Sequence, residues 1–246
     1  AEACFEGGAD AVSLINTINS IMRVDYDSLT MFPTTGGMGT HGGYCGEAVK
    51  PIALNMVAEI ARNEKTKNLP ISGIGGVTTW KDAVDFIALG ASNVQVCTAA
   101  MVYGFKIVED MKTGLSNFLD EKGMNSVDEL IGKAVPSVTD WKFLNLNHVD
   151  KAVIDQEKCI KCGRCHIVCE DTSHQAIKYS DDGGNRVFTV DDNECVGCNL
   201  CVSVCPIVDC ITMVAMESGI DPRTGKEITS EPADWTTHEN NPMKVS

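Results

Sequence analysis

Nine of the twelve cysteines in this 246-residue chain lie after residue 150. Cys159, Cys162, Cys165 and Cys169 spell C-x2-C-x2-C-x3-C, and Cys195, Cys198, Cys201 and Cys205 repeat that spacing, followed by Pro206. Corresponding cysteines stand 36 residues apart, so one unit is written twice. Two-residue gaps let the backbone curl three thiolates around three corners of a cubane. The fourth, at a helix start, points to the other cluster of a pair. The spacing therefore assigns Cys159, Cys162, Cys165 and Cys205 to one [4Fe–4S] centre and Cys195, Cys198, Cys201 and Cys169 to a second. A disulfide framework wants a short exported chain. Structural zinc prefers separated CxxC pairs, because a third cysteine so close crowds a tetrahedral ion. Glu170 replaces the proline that would follow the first run, a position that binds no iron. Cys210 lies outside both runs and reads as a small buried apolar residue. Such clusters move single electrons and make no bonds to carbon.

The elements around these cysteines are short. Ala176–Tyr179 and Cys210–Met213 each read as a strand closing one copy of the repeat. Before them the pattern changes. Ala11–Ile15, Leu69–Ile74 and Asn93–Cys97 read as strands separated by helices. Pro51 suits a first helical turn, with Ala53, Met56, Val57 and Ile60 at 3–4 spacing. Thr79 and Asp82 form a capping box ahead of the stripe Ala83, Val84, Ile87 and Ala88. Gly8 and Gly90 end helices just before strands. This is βα alternation with parallel strands, in which chemistry belongs to the loops after the strands. Those loops carry Asn16-Thr17, a glycine-rich stretch from Gly36 to Gly46, Gly73-Ile74-Gly75-Gly76-Val77 and Cys97-Thr98. Glycines there expose backbone N–H groups that suit a phosphate, although a GxGG alone also marks a plain tight turn.

Taken together, Asn16-Thr17, the loop ending at Gly46, Gly73–Val77, Gln95-Val96-Cys97-Thr98 and the double cysteine tail resemble the dihydropyrimidine dehydrogenase family. The barrel part alone also looks like dihydroorotate dehydrogenase. The resemblance implies an α/β fold: the C-terminal portion of a TIM barrel (strands six to eight, residues 1–123), then a linker (124–150). A two-[4Fe–4S] ferredoxin-like α+β domain (151–213) and an extended arm (214–246) complete it. It implies FMN at the barrel mouth, its phosphate end held by Gly75, Gly76, Val77, Cys97 and Thr98 with Gly46 close by. Asn16 and Thr17 match the pair that bonds the pyrimidine edge; the plainer alternative is that Asn16 caps its own turn. The implied reaction reduces the 5,6 double bond of uracil or thymine. Electrons would come from NAD(P)H through a partner subunit carrying FAD and a NAD(H) site, in a hetero-oligomer. The family's acid cysteine lies on an earlier loop and its flavin lysine on strand five, so no catalytic residue is assigned and the chain reads as the C-terminal part of a longer protein. The alternative is a non-catalytic two-cluster electron-transfer module that docks to a flavoprotein.

Composition narrows the partners. The chain has 20 Lys+Arg against 34 Asp+Glu, a net charge of −14, with 43 % apolar residues. No basic face emerges, so nucleic acid and anionic membranes are poor partners. No apolar run reaches the ~20 residues of a bilayer span, and a cytoplasmic setting is expected. Ser126–Glu129 reads as a capping box; Trp141, Phe143 and Leu146 read as linker anchors, and Trp235 as the one anchor of the arm. Cys4 reads as a packing residue, and His41, His148, His166, His174 and His238 as surface or packing residues.

Overall fold

The structure, a computed structural model, describes residues 1–144, 149–172, 174–216, 219–220, 225 and 227–228. The chain divides into two compact units, Ala1–Val138 and Thr139–Ser246.

The first unit is built on a three-stranded parallel sheet. After a short helix α1 (Glu2–Glu6), β1 (Val12–Leu14) pairs with β6 (Ile71–Ile74), which pairs with β7 (Asn93–Gln95). The registers Val12↔Ile71 and Leu14↔Gly73↔Val94 set two adjacent rows of small and apolar residues on one face of the sheet. That face packs on α2 (Lys50–Arg62), α3 (Trp80–Ala88) and α5 (Ile107–Glu121), which bury Ala53 and Val57, Phe86, and Met111 respectively. Gly73 is required here, since a Cβ would stand 2.6 Å from the Phe86 ring. The opposite face is polar. Gln95 Nε2 donates to Ser13 Oγ at 2.8 Å and to Ser72 Oγ at 2.7 Å, and Ser72 Oγ donates to Asn93 Oδ1 at 2.5 Å.

The strands fall where the apolar runs placed them, each two residues shorter. The Thr79–Asp82 box is present in both directions. Gly8 and Gly90 take φ of +83° and +113°, conformations that cost L side chains dearly. Met56 departs from its expected stripe and is exposed, while Phe86 takes the core position beside Ala83 and Ile87. The stretch after β1, expected as one glycine-rich loop, carries two small antiparallel pairs. They are β2 (Ile18–Ser20) with β5 (Gly42–Tyr44), and β3 (Arg23–Val24) with β4 (Met31–Phe32). Elements of two or three residues leave too little period to be read from sequence. Between β7 and α5 lies the short helix α4 (Thr98–Tyr103).

Residues 124–138 join the first unit. Gly132 N–H donates to Ile87 O at 3.0 Å, Ala134 N–H to Ala88 O at 2.8 Å, and Leu130 is buried. Ser126 caps Asp128 N–H while Glu129 takes Asn125 N–H, because the turn is 3-10 rather than α-helical. Trp141 and Phe143 are exposed, and Cys4 is exposed rather than packed. Leu146, His148, Trp235 and His238 lie outside the described residues.

In the second unit β8 (Asp150–Ile154) pairs antiparallel with β11 (Ile211–Ala215), and β9 (Ile177–Asp182) with β10 (Asn185–Val190). Helices α6 (Arg164–Asp171) and α7 (Leu200–Val204) follow the two cysteine runs. A two-stranded pair, β12 (Gly219–Ile220) with β13 (Glu227–Ile228), completes the described elements. Each of the larger sheets takes one strand from each copy of the repeat. The core comprises Ala152, Ala176, Ile177, Phe188 and Ile211 with five cysteines: Cys165, Cys169, Cys195, Cys201 and Cys210.

Candidate functional site

At the C-terminal ends of β1, β6 and β7 the first unit holds a cavity of about 230 Å³. Asn16, Thr17, Gly46, Gly75, Gly76, Val77, Cys97 and Thr98, all singled out from the sequence, line it. Backbone geometry brings them together. Gly46, Gly75 and Gly76 have φ of +89°, +143° and +75°. A Cβ on Gly76 would stand 2.7 Å from Gly46 O and 3.0 Å from the Glu47 Cα. On Gly75 it would meet Ala53 Cβ at 2.7 Å. Two backbone segments therefore touch at the cavity wall with no room for a side chain between them. Thr98 Oγ1 lies 3.4 Å from Cys45 Sγ and closes the third side.

The start of α3 serves the fold rather than a ligand. Asp82 Oδ2 accepts the N–H groups of Thr78 and Thr79 at 3.0 and 2.7 Å. Lys50 Nζ reaches Asp82 at 2.5 Å and Asp85 at 2.8 Å, tying α2 to α3 beneath the cavity. Burial acts to raise the Asp82 carboxyl, but the Lys50 ammonium and the threonine donors outweigh it and hold the group below its usual value. The N–H groups left for an anion are those of the Gly75–Val77 loop and the start of α4.

Asn16 Oδ1 accepts Thr17 N–H at 2.7 Å, so the turn-capping bond does form. It occupies the amide oxygen and leaves the amide NH2 for a ligand. A Cβ on Gly43 would strike the Thr17 hydroxyl, so the β2–β5 pair and Thr17 fit only because that residue is glycine. The cavity is also lined by Tyr103, which sequence reading passed over, and by Gln95, which it quoted within a motif but gave no role. Gln95 was legible in principle: it alternates with Asn93 on a strand whose other face is apolar.

In the second unit the cysteines gather in two sets. Cys159, Cys162, Cys165 and Cys205 line one hollow with Ile154, Phe188 and Cys210. Cys169, Cys195, Cys198 and Cys201 line the other with Ala152, Ala176 and Met213. Among the described residues, no three His, Cys, Asp or Glu side chains close on a point that could hold a single metal ion. The cysteines ring apolar hollows instead, and a soft thiolate set in an apolar surround suits an iron–sulfur cubane. Burial pushes the Cys165 thiol up to about 11 and also raises Cys201. Cys210, buried as expected, is pushed up to about 12 by burial and by the neighbouring Cys205 and Cys159. His166 bonds Ile177 O through Nδ1 at 2.6 Å and pairs with Glu170 at 2.9 Å, a structural role on α6.

Comparison with known proteins agrees with this division. Residues 1–119 match the dihydroorotate dehydrogenase family, and residues 152–213 match the 4Fe-4S dicluster domain family. The NAD-dependent dihydropyrimidine dehydrogenase subunit PreA of Escherichia coli is 41% identical over 211 residues, 86% of this chain and 51% of the relative. The catalytic subunit of dihydroorotate dehydrogenase B (NAD(+)) from Thermococcus kodakarensis is 41% identical over 133 residues, 54% of this chain and 41% of its own. The chloroplastic dihydropyrimidine dehydrogenase (NADP(+)) of Arabidopsis thaliana is 35% identical over 166 residues, 66% of this chain and 38% of its own. The chain spans about half the length of the PreA relatives it matches. The chain thus joins a segment similar to the dihydroorotate dehydrogenase family to one similar to the 4Fe-4S dicluster domain family, and over most of its length it is similar to the dihydropyrimidine dehydrogenase subunit PreA.

Proposed function

We propose that this chain contributes the flavin-phosphate side and the electron-input domain of a pyrimidine-reducing oxidoreductase. When bound, FMN supplies hydride chemistry and two [4Fe–4S] clusters supply single-electron transfer, so that NAD(P)H, oxidised at an FAD-bearing partner subunit, reduces the 5,6 double bond of uracil or thymine. Gly75, Gly76 and Val77, with Cys97 and Thr98 at the start of α4, cradle the flavin phosphate through backbone N–H groups. Gly46 lets the neighbouring segment approach closely enough to close the cradle. Asn16, its oxygen pinned by Thr17 N–H, turns its amide NH2 to a ring carbonyl of the pyrimidine, and the Thr17 hydroxyl bonds the same edge. Cys159, Cys162, Cys165 and Cys205 hold one cluster, and Cys195, Cys198, Cys201 and Cys169 the other. No residue of this chain is assigned as the proton donor.

The observation that supports the reading is that the eight residues the family resemblance singles out, distant along the chain, line one cavity at the strand ends. The experiment is an anaerobic titration of the assembled, flavin-loaded enzyme with uracil and thymine. A perturbed flavin spectrum is expected, and a spectrum that no pyrimidine changes would favour a simple electron carrier.

A further inference from the structure

Among the described residues, one copy of the cysteine repeat holds a buried cation and the other holds none. Lys151, on β8, is 5 % exposed and donates from Nζ to the carbonyl oxygen of Cys195 at 2.6 Å. The contact is built into the fold. Gly197, two residues on, has φ of +72°, and a Cβ there would stand 2.6 Å from Asp150 O. The loop carrying Cys195 and Cys198 is therefore laid directly on the β8 backbone, with the Lys151 side chain beneath it. The residue 36 positions on from Lys151, at the matching place in the second copy, is Val187. The nearest counterpart for the first loop is Arg186, whose Nη1 lies 3.5 Å from Lys161 O, at a solvent-exposed site. Water and salt screen that charge, whereas a buried ammonium acts through low-dielectric protein.

We propose that Lys151 is a positioning and tuning residue for the cluster held by Cys169, Cys195, Cys198 and Cys201, fixing the ligand loop and making that cluster the easier of the two to reduce. This rests on the two-cluster reading above. On reduction a cluster gains one electron from the donor and so one further negative charge, with no bond made or broken. A buried cation beside its ligand loop stabilises that added charge and favours the reduced form. The other cluster lacks this help, so the two copies differ in potential although their ligands are spaced identically. Electrons entering the pair then come to rest preferentially on the Cys195 side.

The test is an EPR-monitored redox titration of the anaerobically reconstituted full chain with dithionite. Lys151→Gln keeps a donor for Cys195 O and removes the charge; Lys151→Arg keeps the charge; Arg186→Gln is the exposed control. In Lys151→Gln the reduction equilibrium of one cluster is expected to fall about tenfold, ~59 mV for a one-electron couple. The second cluster should hold its value, as should both clusters in Arg186→Gln, and Lys151→Arg should restore most of the shift. Unchanged potentials in Lys151→Gln, or two clusters moving together, would overturn the inference. Should Lys151→Gln load less iron, the titration of the unsubstituted chain decides: two clusters of unequal potential support the inference and equal potentials overturn it, as does a lowered potential in Lys151→Arg, where the charge is kept. Iron and sulfide analysis of the unsubstituted protein comes first, and finding neither element would refute the cluster reading itself.

Discussion

Replacing Gly76 by alanine tests whether the cavity wall is set by backbone contact. Gly76 and Gly37 have nearly the same φ, +75° and +79°, so either alanine pays the left-handed backbone penalty of about 1–2 kcal/mol. They differ in surroundings. A Cβ at Gly37 meets nothing within 4 Å, whereas at Gly76 it stands 2.7 Å from Gly46 O and 3.0 Å from both the Glu47 Cα and the Lys50 Cβ. The first two are backbone atoms and cannot rotate aside, so two segments must separate. Overpacking of this kind costs about 1–3 kcal/mol further. Gly76→Ala should therefore unfold at lower urea than Gly37→Ala by that difference, with the slope of the transition unchanged. Flavin content after purification of the assembled enzyme should fall in Gly76→Ala and hold in Gly37→Ala. Equal midpoints and equal flavin in the two variants would refute the close-contact reasoning.

The crossed ligand sets make Cys205→Ser and Cys169→Ser equivalent in kind. Each should lose about half the iron and sulfide and one of two EPR signals, and Cys205→Ser should lose the same signal as Cys159→Ser. Asp82→Asn removes a carboxylate that accepts two N–H bonds and the Lys50 ammonium, at an expected cost of about 1–3 kcal/mol at neutral pH. Because the folded-state value lies below the usual aspartate value of 3.8, the carboxylate stabilises the fold above 3.8 and loses its effect as pH falls through the folded-state value. Urea unfolding of both proteins should show a gap that narrows in acid; a pH-independent gap would refute the charge assignment. Asn16→Ala in the assembled enzyme should weaken the flavin response to uracil at least about tenfold while flavin content holds. Stripping the clusters with a chelator should abolish cooperative unfolding of the second unit, since half of its ten buried core residues are cysteines. Circular dichroism before and after chelation measures it.

Much of this protein was legible in the chain because its chemistry is tied to local spacing. The cysteine runs fix three ligands each by the reach of two-residue gaps, and the strand–loop–helix order by itself places Gly75, Gly76 and Thr98 just after strands. The capping box at Thr79 is equally local. What the sequence left open depends on residues distant along the chain. Lys50 joins Asp82 and Asp85 across more than thirty positions, and Gln95 meets Ser13 across the whole sheet. Residues 124–138 became part of the first unit through backbone bonds to the end of α3, which no periodicity announces. Lys151 is the clearest case. The apolar run Ala152–Ile154 marks a strand but does not say that the lysine itself is buried, and only antiparallel pairing of β8 with β11, beneath a loop 44 residues away, puts its charge against Cys195. Spacing within a turn is enforced by covalent geometry, and so sequence carries it. Contact between remote segments is enforced by packing, and tertiary structure alone decides which glycine must stay bare and which lysine lies buried.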